Sequence, residues 1–286
     1  MKRIFFLSMF ILIGMTTISA QKVPVILTAG QSNADGRVSL ADLPDELKKY
    51  EYCLWSYGSG DFEMATGKFL PYFPRVAKPQ IEQSWGFDVV VYKHLEQLWQ
   101  RPFYVIKHTD GGTAIDPSCQ SSTHGLYWSA DTAFLNHTVS ASHGGNSLLK
   151  AFERQIDDCV PHLPKNYDIK VLIWHQGESD QDAADRYYDN LKAVIAHIRQ
   201  HLVEKTGKRK YAKLPVVCGT FSKESPQGCQ QVADALYRLS REDKNFYVVE
   251  ASDLPLLPDR LHFNARGAQI LGQRVFETMA KQKIVR

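Results

Sequence analysis

Five short apolar runs constrain this chain more than any other feature: residues 23–29, 103–108, 169–174, 215–221 and 246–251. Several are nearly continuous in β-branched and aromatic side chains, the pattern of strands covered on both faces. Between them apolar positions recur at three- and four-residue spacing. Residues 88–100 carry Val89, Tyr92, Leu95 and Leu98, and residues 184–203 carry Tyr187, Leu191, Val194, Ile198 and Leu202. Residues 232–239 and 265–279 are the remaining helical segments. Strand alternating with helix predicts right-handed crossovers and an α/β fold around a doubly wound parallel sheet. Such sheets gather their active groups in the crevice beyond the carboxyl ends of the strands.

Four sequence blocks fall on that side. Gly30-Gln31-Ser32-Asn33 follows the first run, and Gly30 permits a sharp exit that lifts a serine above the sheet. Position 34 is Ala, so the G-x-S-x-G elbow is not matched, and a lone serine here is more often a helix cap. Gly111-Gly112-Thr113 follows the second run and offers a backbone N–H to a developing oxyanion. His175-Gln176-Gly177-Glu178 follows the third, with the Gln176 amide as a second donor. Asp259 and His262, three residues apart, open the last helical segment and can face the same way, as a carboxylate orienting an imidazole must. Taken singly, each block has an ordinary structural explanation as a turn, cap or loop amide.

In this order the four blocks resemble the SGNH hydrolases, and more narrowly their carbohydrate-acetylesterase branch, with its G-Q-S-N, H-Q-G-E and D-x-x-H signatures; sialate O-acetylesterases and acetylxylan esterases belong there. The likeness runs from Gly30 to His262. It implies a three-layer α/β/α, flavodoxin-like fold on a five-stranded parallel sheet. It implies Ser32 as nucleophile, Asp259 and His262 as the acid–base pair, and an oxyanion hole of the Ser32 N–H, Gly112 and Gln176. Gly112 is preferred over Gly111 because it directly precedes Thr113. Gln176 stands where many relatives have asparagine, a substitution typical of this branch. In similar enzymes the glutamate corresponding to Glu178 has been considered a partner of the histidine. It therefore shares or replaces the role of Asp259, or else is a carboxylate bonded to loop N–H groups.

The implied reaction is hydrolysis of O-acetyl esters on a carbohydrate, acetylated xylan or another glycan, through an acetyl-enzyme and without a cofactor. Two alternatives stand beside it. One is a non-catalytic glycan-binding protein on the same fold, which would be marked by loss of an essential block. The other is an esterase, lipase or thioesterase for non-carbohydrate acyl esters, which would need an apolar acyl channel. Trp55, Trp85, Tyr127 and Trp128 are either sugar-stacking residues or core.

The first 20 residues read as an export signal: Lys2 and Arg3, an apolar run over 4–15, then Ile18-Ser19-Ala20 before a cut ahead of Gln21. The run is too short to span a bilayer comfortably, and the expected product is secreted or periplasmic. One domain is expected over residues 21–286, with no stable membrane insertion after cleavage. The formal charge of +3 falls to +1 without Lys2 and Arg3, which gives no electrostatic argument for nucleic acid or anionic membranes. Five cysteines are an odd set for an exported chain; a buried thiol is expected at Cys218, and a Cys218–Cys229 bridge stays open. His197 and His201 share a helix face without an H-E-x-x-H motif, so no metal is expected there. Residues 119–146, with His124, His137 and His143, form a poorly periodic stretch expected to elaborate the active face.

Overall fold

Strand β1 (Val23–Gly30) is buried from Pro24 onward and lies in the middle of the sheet, with parallel neighbours on both sides. The other parallel strands are β2 (Cys53–Gly58), β3 (Phe103–Thr109), β4 (Tyr167–His175), β5 (Val216–Gly219) and β6 (Phe246–Val249), in the order β6-β5-β4-β1-β3-β2. Antiparallel two-residue strands, Glu63–Met64 and Leu70–Pro71, pair with β2 and bring the sheet to eight strands. The structure is a computed structural model that describes residues 21–60, 62–64, 67–119 and 125–286; the expected export signal and His124 lie outside the described residues.

The five expected strands are present as β1, β3, β4, β5 and β6, in a doubly wound order, so the three-layer expectation holds. The strand count does not. β2 extends the parallel set to six, and its sequence, Cys-Leu-Trp-Ser-Tyr-Gly, hides it because Ser56 interrupts the apolar run. Ser56 is tolerated in the interior because its hydroxyl accepts from Gln155 Nε2 at 3.2 Å.

The helices are α1 (Ser32–Asp35), α2 (Asp88–Trp99), α3 (Thr132–His137), α4 (Leu148–Cys159), α5 (Tyr187–Thr206), α6 (Gln230–Glu242) and α7 (Ala265–Lys281). Alternate strand residues feed two cores. Val25, Leu27 and Ala29 join the core under α4, α5 and α6, whereas Ile26 joins the one under α2 and α7. Helix α4 had no counterpart among the expected helices, although Leu148, Leu149, Phe152 and Ile156 form its buried face. Burying such side chains stabilises the layer by roughly 1.5–3 kcal/mol each. Ser147 starts it by accepting from Lys150 N at 3.2 Å.

Trp55, Trp85 and Trp128 are fully buried, so they are core residues and not sugar platforms. Trp128 packs edge-on against Trp174, 5.1 Å between ring centres, and its backbone N–H donates to Ala114 O at 3.0 Å. That bond pins the segment around Trp128 to the loop after β3. All five cysteines are free, so Cys218 and Cys229 are not bridged. Among the described residues no helix is long and apolar enough to cross a membrane.

Candidate active site

Ser32 owes its place to the way β1 ends. Gly30 has φ +143°, and a Cβ there would sit 2.0 Å from the His175 carbonyl oxygen, so only glycine lets β1 close on β4. Gln31 is extended, and Ser32 begins the one-turn α1. The turn is fixed from below. Asp35 accepts from Tyr57 Oη at 2.6 Å and Thr109 Oγ1 at 2.9 Å, while buried Lys107 donates to Asp35 O at 3.0 Å and to Asp88 at 2.8 Å. The Ser32 hydroxyl itself makes no hydrogen bond among the described residues and lines a cleft of about 380 Å³.

His262 lines the same cleft. It lies in the turn before α7 rather than in the helix, because Asn264 caps α7 by accepting from Gly267 N at 2.9 Å. Asp259 organises this turn. Its Oδ1 accepts from Leu261 N at 2.8 Å and His262 N at 3.1 Å, and its Oδ2 stands 2.7 Å from His262 Nδ1. Partial burial raises the Asp259 pKa, but the Leu261 N–H, the imidazole and the His262 N–H outweigh it and hold the carboxyl below its usual value. An ionised Asp259 accepts a hydrogen bond from Nδ1–H, which leaves Nε2 as the basic nitrogen.

The loop after β3 forms the opposite wall. Asp110 N donates to Gly30 O at 3.1 Å, which sets Gly111 and Gly112 beside Ser32. The N–H groups of Ser32 and Gly112 have no acceptor among the described residues. Gln176 is placed differently from the expectation. Its amide is buried, and Nε2 donates to Thr113 O at 3.1 Å and to Asp180 Oδ2 at 2.5 Å. Both amide protons are thereby engaged, and Gln176 tethers the Gly112 loop instead of facing the cleft. Asp180 also accepts from Ile115 N and Asp116 N, and burial pushes it up to about 6 despite these donors.

Glu178 is not brought to His262. Its Oε1 lies 3.2 Å from His175 Nε2 and accepts from Asn33 Nδ2 at 2.9 Å. Burial raises its pKa, but His175 and Asn33 more than offset this and hold it below the ordinary glutamate value. The histidine pair on α5 is engaged with acids of α4: His197 Nε2 is 2.9 Å from Glu153, and His201 Nε2 is 2.9 Å from Asp157.

A family model described as a carbohydrate esterase, sialic acid-specific acetylesterase, matches residues 22–281. The chain belongs to this carbohydrate esterase family. The esterase also shares its fold with solved structures. NanS superposes with a TM-score of 0.65 at 13% identity, covering 91% of this chain and 97% of that one. A protein from Arabidopsis thaliana gives 0.63 at 17% identity, with 91% and 99% covered. A carbohydrate acetylesterase from Xanthomonas citri gives 0.55 at 17% identity, with 89% of this chain and 55% of that chain covered. A search of curated protein sequences finds no significant match.

Several polar residues of the esterase's cleft carried no signal in the sequence reading. Arg37 Nη1 donates to Asp35 at 2.8 Å and to Gly36 O at 2.7 Å. Its Nη2 lies over Gly111, where an added Cβ would approach it to 2.4 Å. Lys78 reaches Asp110 at 3.3 Å across the same cleft, and Gln80, Ser179 and Gln227 line it together with the apolar Ile81 and Leu261. These side chains come from separate loops, and no local motif joins them. Asn33 was visible only as part of the G-Q-S-N block, without a task.

Proposed function

We propose that the esterase is exported and removes O-acetyl groups from its carbohydrate through an acetyl-enzyme on Ser32. The observation that carries this reading is the Asp259–His262 pair, at 2.7 Å, opening on the same cleft as a serine hydroxyl that has no hydrogen-bond partner among the described residues. His262 Nε2 takes the Ser32 proton as Oγ attacks the acetyl carbonyl. The oxyanion that forms is met by the Ser32 and Gly112 N–H groups, each worth on the order of 3 kcal/mol to the transition state. Gln176 contributes by fixing the Thr113–Ala114 peptide, one residue beyond Gly112, through Thr113 O. His262 then hands its proton to the departing sugar oxygen, and water activated by the same nitrogen releases acetate. No cofactor takes part in these steps.

Among acetylated glycans, a sugar bearing a carboxylate fits better than a neutral xylan. The family description names sialic acid, and Arg37 presents a guanidinium edge with no acceptor among the described residues beside Ser32. Guanidinium and carboxylate match in a planar, two-bond geometry. The export reading is supported by the sequence of residues 1–20 alone.

The test is acetate release from p-nitrophenyl acetate, O-acetylated sialic acid and acetylated xylan by the chain beginning at Gln21 and by Ser32→Ala. Loss of turnover in the variant is expected; an unchanged rate would sink the nucleophile. Arg37→Gln should raise KM for the acidic sugar at least tenfold and leave xylan unchanged. Equal effects on both would return the substrate to a neutral glycan. Binding of acetylated glycan without any acetate release would favour the non-catalytic alternative, and preference for octanoyl esters the lipid one.

A further inference from the structure

We propose that Asn33 is a positioning residue for His262, a clamp that fixes the histidine turn against the residue following the nucleophile, with Glu178 as the clamp's anchor. The proposal rests on the reading of Ser32 and His262 as nucleophile and base. A primary amide has one acceptor and two donor hydrogens, and Asn33 directs all of its capacity at this job. Its Oδ1 accepts from Phe263 N at 3.1 Å, and Nδ2 donates to Leu261 O at 3.2 Å and to Glu178 Oε1 at 2.9 Å. Leu261 and Phe263 flank His262, so the amide grips the backbone on both sides of the imidazole.

The turn's own hydrogen bonds cannot do this. Leu257 N donates to His262 O, Arg260 N to Leu257 O, and Asn264 N to Pro255 O. These bonds begin and end within residues 255–264, so they stiffen the turn without placing it relative to Ser32. Arg260 Nη2 reaches out, but to Glu224 O. Asn33 is the link that crosses to α1, where one peptide unit separates it from Ser32. The Phe263 ring, 5.7 Å from the His175 ring, packs on the same side as the anchor.

Glu178 fits the anchoring role better than that of orienting acid. It touches Asn33 and His175 rather than His262, whose Nδ1 is already occupied by Asp259. Its other oxygen, Oε2, is buried with no partner among the described residues, where the carboxylate is held through Oε1. Besides the backbone bond from Gln31 N to His175 O, the two signature blocks thus meet through their side chains: the Asn of G-Q-S-N donates to the Glu of H-Q-G-E, and that bond fixes the rotamer that holds the D-x-x-H turn.

A clamp and a merely structural asparagine are told apart by the leaving group. His262 must deliver a proton to an alkoxide, whereas nitrophenolate departs without one. A loosened imidazole therefore slows sugar acetates more than p-nitrophenyl acetate, but a smaller folded fraction slows both equally. Asn33→Ala should lower kcat/KM about 100-fold on a sugar acetate, the scale of an ångström of misplacement, and about tenfold or less on p-nitrophenyl acetate. Equal loss on both esters, or no loss, overturns the clamp. If that variant does not fold, Asn33→Asp sets two carboxylates face to face, and adding Glu178→Gln restores a donor between the positions. Recovery of at least fivefold in the double variant is expected; additive losses overturn the proposal. Ser32→Ala separates the two readings. Turnover retained there overturns the nucleophile and the clamp with it, whereas loss there with equal ester losses in Asn33→Ala overturns the clamp alone.

Discussion

Replacing Asp259 by asparagine should damage the esterase more than deleting its side chain. In the structure Oδ1 caps the turn through Leu261 N and His262 N, while Oδ2 accepts from His262 Nδ1 at 2.7 Å. Asparagine keeps the capping oxygen but turns an NH2 toward Nδ1. The imidazole must then accept there, which moves its proton to Nε2, the nitrogen that should receive the Ser32 proton. A base in the wrong tautomer forfeits general-base catalysis, about 10⁴-fold in kcat, or roughly 5.5 kcal/mol. Alanine imposes no tautomer. It removes the charge that stabilises the imidazolium, and with Asp259 42% and His262 20% exposed, solvent screening leaves about 2 kcal/mol of that attraction. That corresponds to roughly 30-fold, with the loss of two caps adding a further several-fold. The assay is kcat/KM on p-nitrophenyl acetate from pH 5 to 9 for both variants, with folding checked by circular dichroism. Activity in Asp259→Asn equal to that in Asp259→Ala would refute the tautomer argument. Loss confined to Glu178→Gln would refute Asp259 as the orienting acid.

Ser32→Ala should abolish esterase turnover yet change stability by less than about 1 kcal/mol, because Oγ has no hydrogen bond to lose among the described residues; a large fall in Tm would contradict that geometry. Gly30→Ala should cost more than about 3 kcal/mol in chemical denaturation, since its Cβ would meet His175 O at 2.0 Å on a positive-φ backbone. Asp180, raised to about 6 from 3.8, makes a stability contribution that is full below pH 4 and is lost as pH rises to about 6, by roughly 3 kcal/mol at most. The stability difference between the native chain and Asp180→Asn should therefore shrink or reverse over that window in urea titrations. A difference independent of pH would exclude the raised carboxyl.

The sequence was a good guide where a signal is local. The apolar runs of β1, β3, β4, β5 and β6 carry their burial in their own composition, and the four blocks appear at loop positions that chain order alone identifies. It was a poor guide where the partner is remote. Ser56 in β2 reads as an interruption until Gln155, 99 residues away, supplies its donor. Gln176 reads as a free loop amide until Thr113 O and Asp180 are seen to take both of its protons.

By itself, then, the sequence determined a doubly wound α/β domain with a serine, a glycine pair and a D-x-x-H turn at one end of its sheet. Periodicity and strand-end position are properties of neighbouring residues and need no third dimension. Only the tertiary structure decided which carboxylate stands beside His262 and which groups Asn33 engages. Glu178 and Asp259 are equally acidic on paper, but one lies 2.7 Å from the imidazole while the other is bound to Asn33, 145 residues earlier in the chain. Hydrogen bonds act over about 3 Å, and no property of a residue's sequence neighbours reports which distant loop the fold will bring within that range.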